Sequence, residues 1–283
     1  MAVRAVQQIM LGSVCKNERQ TLETLKAVKE AGYDGLELNG FMIRPTSLMV
    51  RMMTRAAGMP VGAGGSFDWS GMLREAGLCV VSLHEDLGSV KRDPEAVVRK
   101  ASELGTDKIV ITGMYRFDYS DRKAVADLAK DLNAFGEILA KAGIGLLYHN
   151  HNCEFRKVEK NRTAYDMLIE ETDSRYVNFE LDSYWPTEAG ISAIALMRRL
   201  GERMRLYHIN DRGTKVTGPS MTPILKSDSM ELGYGNMNLT ELAAQALAAN
   251  VDAVILESHK NWAEKSPLKS LQMSAAFMKE NVR

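Results

Sequence analysis

The chain has little of what would tie it to an oxidising compartment, a nucleic acid or a membrane. Its three cysteines, Cys15, Cys79 and Cys153, are odd in number and widely spaced, and two lie inside strand-like runs. A disulfide framework is excluded on that pattern, and a reducing cytoplasm fits it best. Lys+Arg and Asp+Glu each total 36, so the formal net charge is zero. That leaves no electrostatic footprint for nucleic acid or for an anionic membrane surface. No apolar run approaches the ~18 to 20 residues that span a bilayer, and the opening MAVRAVQQIMLGSV carries no cleavage pattern. Linkers and low-complexity segments are missing too, so residues 1–283 read as one domain. Histidine is scarce as well, with five copies: His84, His149, His151, His208 and His259.

What is present is ordinary globular composition, 45% hydrophobic and 25% charged. Seventeen methionines read as soft core packing. Eight apolar runs suggest strands: Gln8–Leu11, Gly35–Leu38, Cys79–Leu83, Ile109–Ile111, Ile144–Leu147, Tyr176–Leu181, Met204–Ile209 and Ala253–Leu256. Helical spacing lies between them. Asn17 caps a helix that Gly32 closes, Asp93-Pro94 opens another, and a long one runs from about Ser120 to Ala142, stopped by Gly143. Further helices are expected from Pro45 through a Met-rich stretch, then up to Gly77, and at Tyr165–Glu171, Thr187–Leu200, Leu239–Ala249 and after Ser266-Pro267. Gly62, Gly64 and Gly65 lack phosphate-loop spacing and read as a bend.

Strands alternating with helices imply parallel pairing through right-handed crossovers. Eight units of about 35 residues each match a closed (β/α)8 TIM barrel in a single domain. A doubly wound open sheet is the alternative, but no dinucleotide fingerprint follows the first strand.

In a barrel of this kind the C-terminal strand ends converge on one mouth. All five histidines fall at or just past a predicted strand end. The densest stretch is Tyr148 to Phe155, YHNHNCEF, which carries His149, His151 and Glu154. Glu154, Asp182, His208 and Glu257 come one each from strands five to eight. Three carboxylates brought together repel one another, and a divalent cation relieves the conflict, with a histidine nitrogen completing the set. The oxygen-rich mixture suits one Mn²⁺, Mg²⁺ or Co²⁺ ion better than Zn²⁺, although Zn²⁺ is compatible.

YHNHNCEF after strand five, ELDSYW across strand six, YHINDR after strand seven and ILES at strand eight together resemble the sugar phosphate isomerase/epimerase group of the xylose-isomerase-like TIM barrels, which also contains endonuclease IV. The first half matches in general shape only, as in DGLEL and VVSLHEDL. The resemblance implies a metal held by Asp182, His208 and Glu257, with Glu154 as fourth ligand and His149 in reserve. Relatives that epimerise free ketoses have a glutamate near the position of Tyr148, and a histidine where this chain has Trp185.

The chemistry implied is proton abstraction next to a carbonyl of a sugar, sugar acid or cyclitol, with Glu257 as one base and His151, or else Glu154, on the opposite face. Glu37, His84, His149, Trp185 and Arg212 are expected to contact the carbohydrate, Arg212 through its planar fork. The connection from Asn210 to Asn238 reads as a lid, or as an oligomer contact. A lyase or dehydratase acting on a keto-sugar, 3-keto-glycoside or inosose would use the same site. A DNA-repair nuclease would need more histidines and a basic face. A non-catalytic binding protein is the remaining alternative.

Overall fold

The computed structural model describes residues 1–45, 52, 64–114, 116–215 and 218–283. Eight strands, β1 (Val3–Gln7), β2 (Gly35–Asn39), β3 (Cys79–Glu85), β4 (Lys108–Ile111), β5 (Gly145–His149), β6 (Val177–Asp182), β7 (Met204–Ile209) and β8 (Ala253–Leu256), pair in parallel and close into a barrel. The (β/α)8 expectation is met.

The local signals act where they are written. Asn17 accepts a hydrogen bond from the Gln20 amide at 2.9 Å and starts helix Glu18–Ala31, and Gly32 ends it at φ 106°, a left-handed conformation that glycine adopts without a Cβ clash. Asp93 caps Pro94–Leu104 in the same manner. Thr163 and Asp166 form a reciprocal capping box on Ala164–Glu171.

Two assignments need correction. The first strand is Val3–Gln7, whereas Gln8–Leu11 forms a buried 3-10 turn in which the Gln7 side chain accepts from the Ile9 amide at 2.8 Å. A buried turn is as apolar as a strand, so hydrophobicity alone does not separate them. The helix expected over Thr187–Leu200 is two, Tyr184–Glu188 and Ala193–Leu200. Gly190 at φ 76° breaks the path and Ser192 caps the second piece. The Met-rich helix after Pro45 and Gly62 lie outside the described residues, and Gly64 begins the short turn Gly64–Ser66.

Side chains alternate across each strand. Ala5, Val81, Val110, Leu147, Leu206, Ala253 and Ile255 meet inside the barrel as an apolar plug. Their outward neighbours, among them Tyr148, Phe179, Leu181 and Tyr207, are buried in the larger core. Further along, the inner rows turn polar, and those polar residues form the mouth. Among the described residues no helix is long and apolar enough to cross a membrane. All three cysteines are free.

Leu147→Ala or Ile255→Ala is expected to destabilise the fold by about 2–5 kcal/mol through a cavity in the plug. Met221→Ser, at a fully exposed side chain, should stay within about 0.5 kcal/mol of the parent. Urea unfolding of the three variants checks both statements.

Candidate active site at the barrel mouth

The inner rows of the strands bring Glu37 from β2, His84 from β3, His149 from β5, Glu180 and Asp182 from β6, and His208 from β7 to one place, with Glu257 one residue beyond β8. All seven are buried. Register does the aligning: His149 pairs with Glu180, and Asp182 with His208. A bulge in the β2–β3 pairing inserts Val81 as an extra residue, after which Ser82 aligns with Glu37. Bulges re-aim side chains at barrel rims. Here the bulge turns both Ser82 and His84 toward Glu37.

His208 is the hub. Its Nε2 lies 2.6 Å from Glu37 Oε2 and its Nδ1 2.9 Å from Glu257 Oε2. His84 Nε2 lies 2.9 Å from Glu180 Oε2 and 3.1 Å from Glu37 Oε1. His149 Nδ1 lies 3.0 Å from the same Glu180 oxygen. Burial alone would push these imidazoles toward the neutral form. Around His84 the Glu37 and Glu180 charges outweigh it and hold the ring at about 10. The same balance, led by Glu180 and Glu37, holds His208 well above its usual range. Asp182 goes the other way. Burial, reinforced by the Glu257 charge, raises its carboxyl well above the ordinary value.

The ligand atoms of His149, Asp182, His208 and Glu257 all lie within 4.8 Å of one another, and so do those of His84, His149, Glu180 and His208. Asp182 Oδ1 accepts from the Tyr184 amide at 2.8 Å, while its Oδ2 is buried with no hydrogen-bond partner. Glu180 Oε1 is likewise buried and unpartnered. Buried anionic oxygens left without donors are unfavourable unless a cation meets them, so the donor set fits a divalent ion of mixed N and O preference.

Glu154 stands apart from both groups. Its Oε1 accepts from Tyr148 at 2.9 Å, and its Oε2 accepts from the His151 amide at 2.9 Å and from Cys153 Sγ at 3.2 Å. Tyr148 faces outward on β5, so the position that faces the mouth belongs to His149. Gly113 follows β4, where a Cβ would lie 3.2 Å from His151 Nδ1 and 3.5 Å from Glu154 Oε1; a glycine leaves room for the loop. His151 packs edge-on against His149 at 5.0 Å and, tilted by 44°, against Trp185 at 5.5 Å. Burial, with His149 beside it, pushes its ring down to about 3 and keeps it neutral.

A cavity of about 1390 Å³ opens above the cluster, and His84, His149, His151, Trp185, Glu257 and His259 are among its lining. Glu37 is not among the lining residues; it lies fully buried beneath. Arg212 also faces elsewhere, over the Tyr184 ring at 5.5 Å and toward Glu188 at 3.8 Å. The segment after β7 is pinned by Asp211, whose side chain accepts from the amides of Gly233, Gly235 and Met237. Within it Asp211–Gly213 pairs antiparallel with Asp228–Met230, so the expected lid begins as a hairpin, with residues 216 and 217 outside the described set.

Glu180 escaped the sequence reading. It sits in mid-strand, two residues before Asp182, and strand-end position was the criterion applied. The period of two along a strand with Asp182 on the inner face would have found it.

A family model described as xylose isomerase-like TIM barrel matches residues 25–281. No curated protein matches the sequence. Among solved structures, a sugar phosphate isomerase/epimerase from Parabacteroides distasonis ATCC 8503 has a TM-score of 0.74 at 21% identity, over 98% of this chain and 93% of its own. A probable 3-DHS dehydratase from Bacillus anthracis has a TM-score of 0.68 at 13% identity, over the whole of both chains. The IolI protein with a bound zinc atom has a TM-score of 0.67 at 12% identity, over 99% of this chain and 98% of its own. At these identities the likeness is one of fold.

In chelator-treated protein, Asp182→Asn is expected to raise stability. A carboxyl whose folded pKa lies above the ordinary 3.8 retains its proton longer in the folded state, so the parent loses stability as pH rises from that value. The gain should be absent near pH 3 and grow toward neutrality, measured by thermal unfolding across pH.

Proposed function

The chain belongs to the xylose isomerase-like TIM barrel family, and from that premise we propose that it is a divalent-metal-dependent isomerase or epimerase of a sugar, sugar acid or cyclitol, working by proton abstraction next to a carbonyl. One observation carries the reading: His149, Asp182, His208 and Glu257 place four ligand atoms within 4.8 Å on the floor of a cavity, and Asp182 Oδ2 is left with no partner in the protein. These four side chains would hold the ion, with His149 in the place expected of Glu154. When bound, the ion supplies Lewis acidity toward the carbonyl.

The remaining work falls to the chain itself. Glu257, held ionised by His259 and His208 against its burial, faces the cavity as one base. His151 is neutral, with a lone pair free to take a proton, and its stacking between His149 and Trp185 fixes the ring at the rim. Trp185 presents an apolar face to a sugar ring and, with His259 at 6.1 Å, excludes water above the reacting carbon. Glu154, tied to Tyr148 and to the His151 backbone, shapes the loop that carries His151. A positioned acid/base contributes about 10² to 10⁴ in rate.

A second reading retains the site and adds departure of a β-substituent after proton abstraction, which makes a lyase or dehydratase. The likeness to the probable dehydratase and Trp185, where free-ketose epimerases have histidine, favour keeping it.

Incubation of Mn²⁺- or Co²⁺-loaded protein with a panel of ketoses, keto-acids and inososes in D₂O is expected to place deuterium at the carbon next to the carbonyl. EDTA and Asp182→Asn should abolish the exchange, and His151→Ala should slow it by about 10² to 10⁴. Product mass separates the readings: unchanged apart from deuterium for an epimerase, and reduced by water or an aglycone for a lyase. Absence of exchange across the panel with the loaded protein would defeat both.

A further inference from the structure

We propose that Glu37 is a positioning residue that decides which nitrogen of His208 faces the cation site. The inference rests on the metal-dependent reading above and extends it to a residue outside both groups of candidate ligands. Glu37 has no oxygen to spare for an ion. Its Oε2 lies 2.6 Å from His208 Nε2, and its Oε1 takes the Ser82 hydroxyl together with His84 Nε2 at 3.1 Å. It is fully buried and does not line the cavity, so a substrate hydroxyl does not reach it.

A carboxylate accepts and does not donate, so the Nε2 beside it must carry the proton. A neutral imidazole carries a single N–H. Nδ1 faces Glu257 at 2.9 Å in the same way, but Glu257 is itself a candidate ligand and Glu37 is not, so with an ion present the proton kept on Nε2 would leave the Nδ1 lone pair for the ion. Ligating histidines backed by a carboxylate through their other nitrogen gain both orientation and basicity. The β2–β3 bulge serves this arrangement, because it aligns Ser82 with Glu37. The same geometry argues for one ion, since the Nε2 that the His84–Glu180 group would need from His208 already points at Glu37.

The test compares parent, Glu37→Gln, Ser82→Ala and Asp182→Asn, using Zn²⁺ as probe. Chelator competition gives affinity and stoichiometry, and ¹H–¹⁵N spectra of the loaded protein give the His208 tautomer. The parent should bind one Zn²⁺ with His208 protonated on Nε2. Glu37→Gln should still bind one ion, about 10- to 100-fold more weakly, with the His208 ring resonances shifted. Ser82→Ala should move both readouts in the same direction by less, and decides the matter if Glu37→Gln does not fold. Parent-like affinity and spectra in Glu37→Gln, or in Ser82→Ala where that variant must decide, would overturn the positioning role while leaving the metal reading intact. Complete loss of the ion in Glu37→Gln, as expected for Asp182→Asn, would make Glu37 a ligand and also overturn it. Failure of the parent to bind Zn²⁺, or binding of two ions, would overturn the proposal, and the former would take the metal reading with it.

Discussion

Everything at the mouth depends on one constraint: four carboxylates, Glu37, Glu180, Asp182 and Glu257, are buried around one histidine ring. Withdrawing even one carboxylate from water costs several kcal/mol unless partners compensate. His208 touches Glu37 and Glu257 directly and lies 3.3 Å from Glu180. His84 joins Glu37 to Glu180 from the other side. The cluster is thus a lattice of alternating charge and not a heap of acids, which is how the barrel can close over it. Asp182 Oδ2 and Glu180 Oε1 are the two oxygens that this lattice leaves open.

The lattice is precise because the barrel beneath it is dull. Small and branched side chains fill the interior from Ala5 to Ile255, and the inner rows continue upward into polar residues with no freedom to choose their face. Leu147 leads to His149, Leu206 to His208, Ile255 to Glu257. Slipping any strand by one residue would exchange Tyr148 for His149 or Tyr207 for His208, moving bulky phenols into the mouth and burying imidazoles under helices. The outward tyrosines have their own tasks. Tyr207 meets the Ser183 hydroxyl at 2.9 Å and Tyr148 serves Glu154, so both faces of β5 and β7 bear on the loops above.

This layering also explains what could be read from the chain before its shape was known. Caps at Asn17, Asp93 and Ser266 are local chemistry, and the helices start there because a side-chain oxygen meets orphan amides within three residues. The eight-fold alternation needed only apolar runs and their spacing. Harder were the choices that depend on which face a residue takes. YHNHNCEF offers two imidazoles and a carboxylate within a few residues, and nearness in sequence favoured Glu154; the pleat instead turns His149 inward and leaves Glu154 to Tyr148. His84 lines the cavity as expected of a mouth residue, whereas Glu37, also expected to contact substrate, lies one level lower, buried beneath it. Depth within a barrel is set by strand stagger and by the β2–β3 bulge, and neither has a sequence signature.

The arrangement has a further consequence for how one sequence both folds and binds. Glu180, Glu37 and Glu257 hold His208 toward its protonated form, and Glu37 and Glu180 do the same for His84, so the buried acids are offset in part from within. Under the proposed function the Nδ1 side of His208 would be the one given to the ion, and it would have to release its proton to do so. The Nε2 side would stay with Glu37. Only one edge of the ring would then change partner, so the histidine could be structural and functional without moving. Such a site would place its rigid contacts below and its exchangeable ones above, toward the cavity, and this vertical division follows from the two-residue steps of the inner rows.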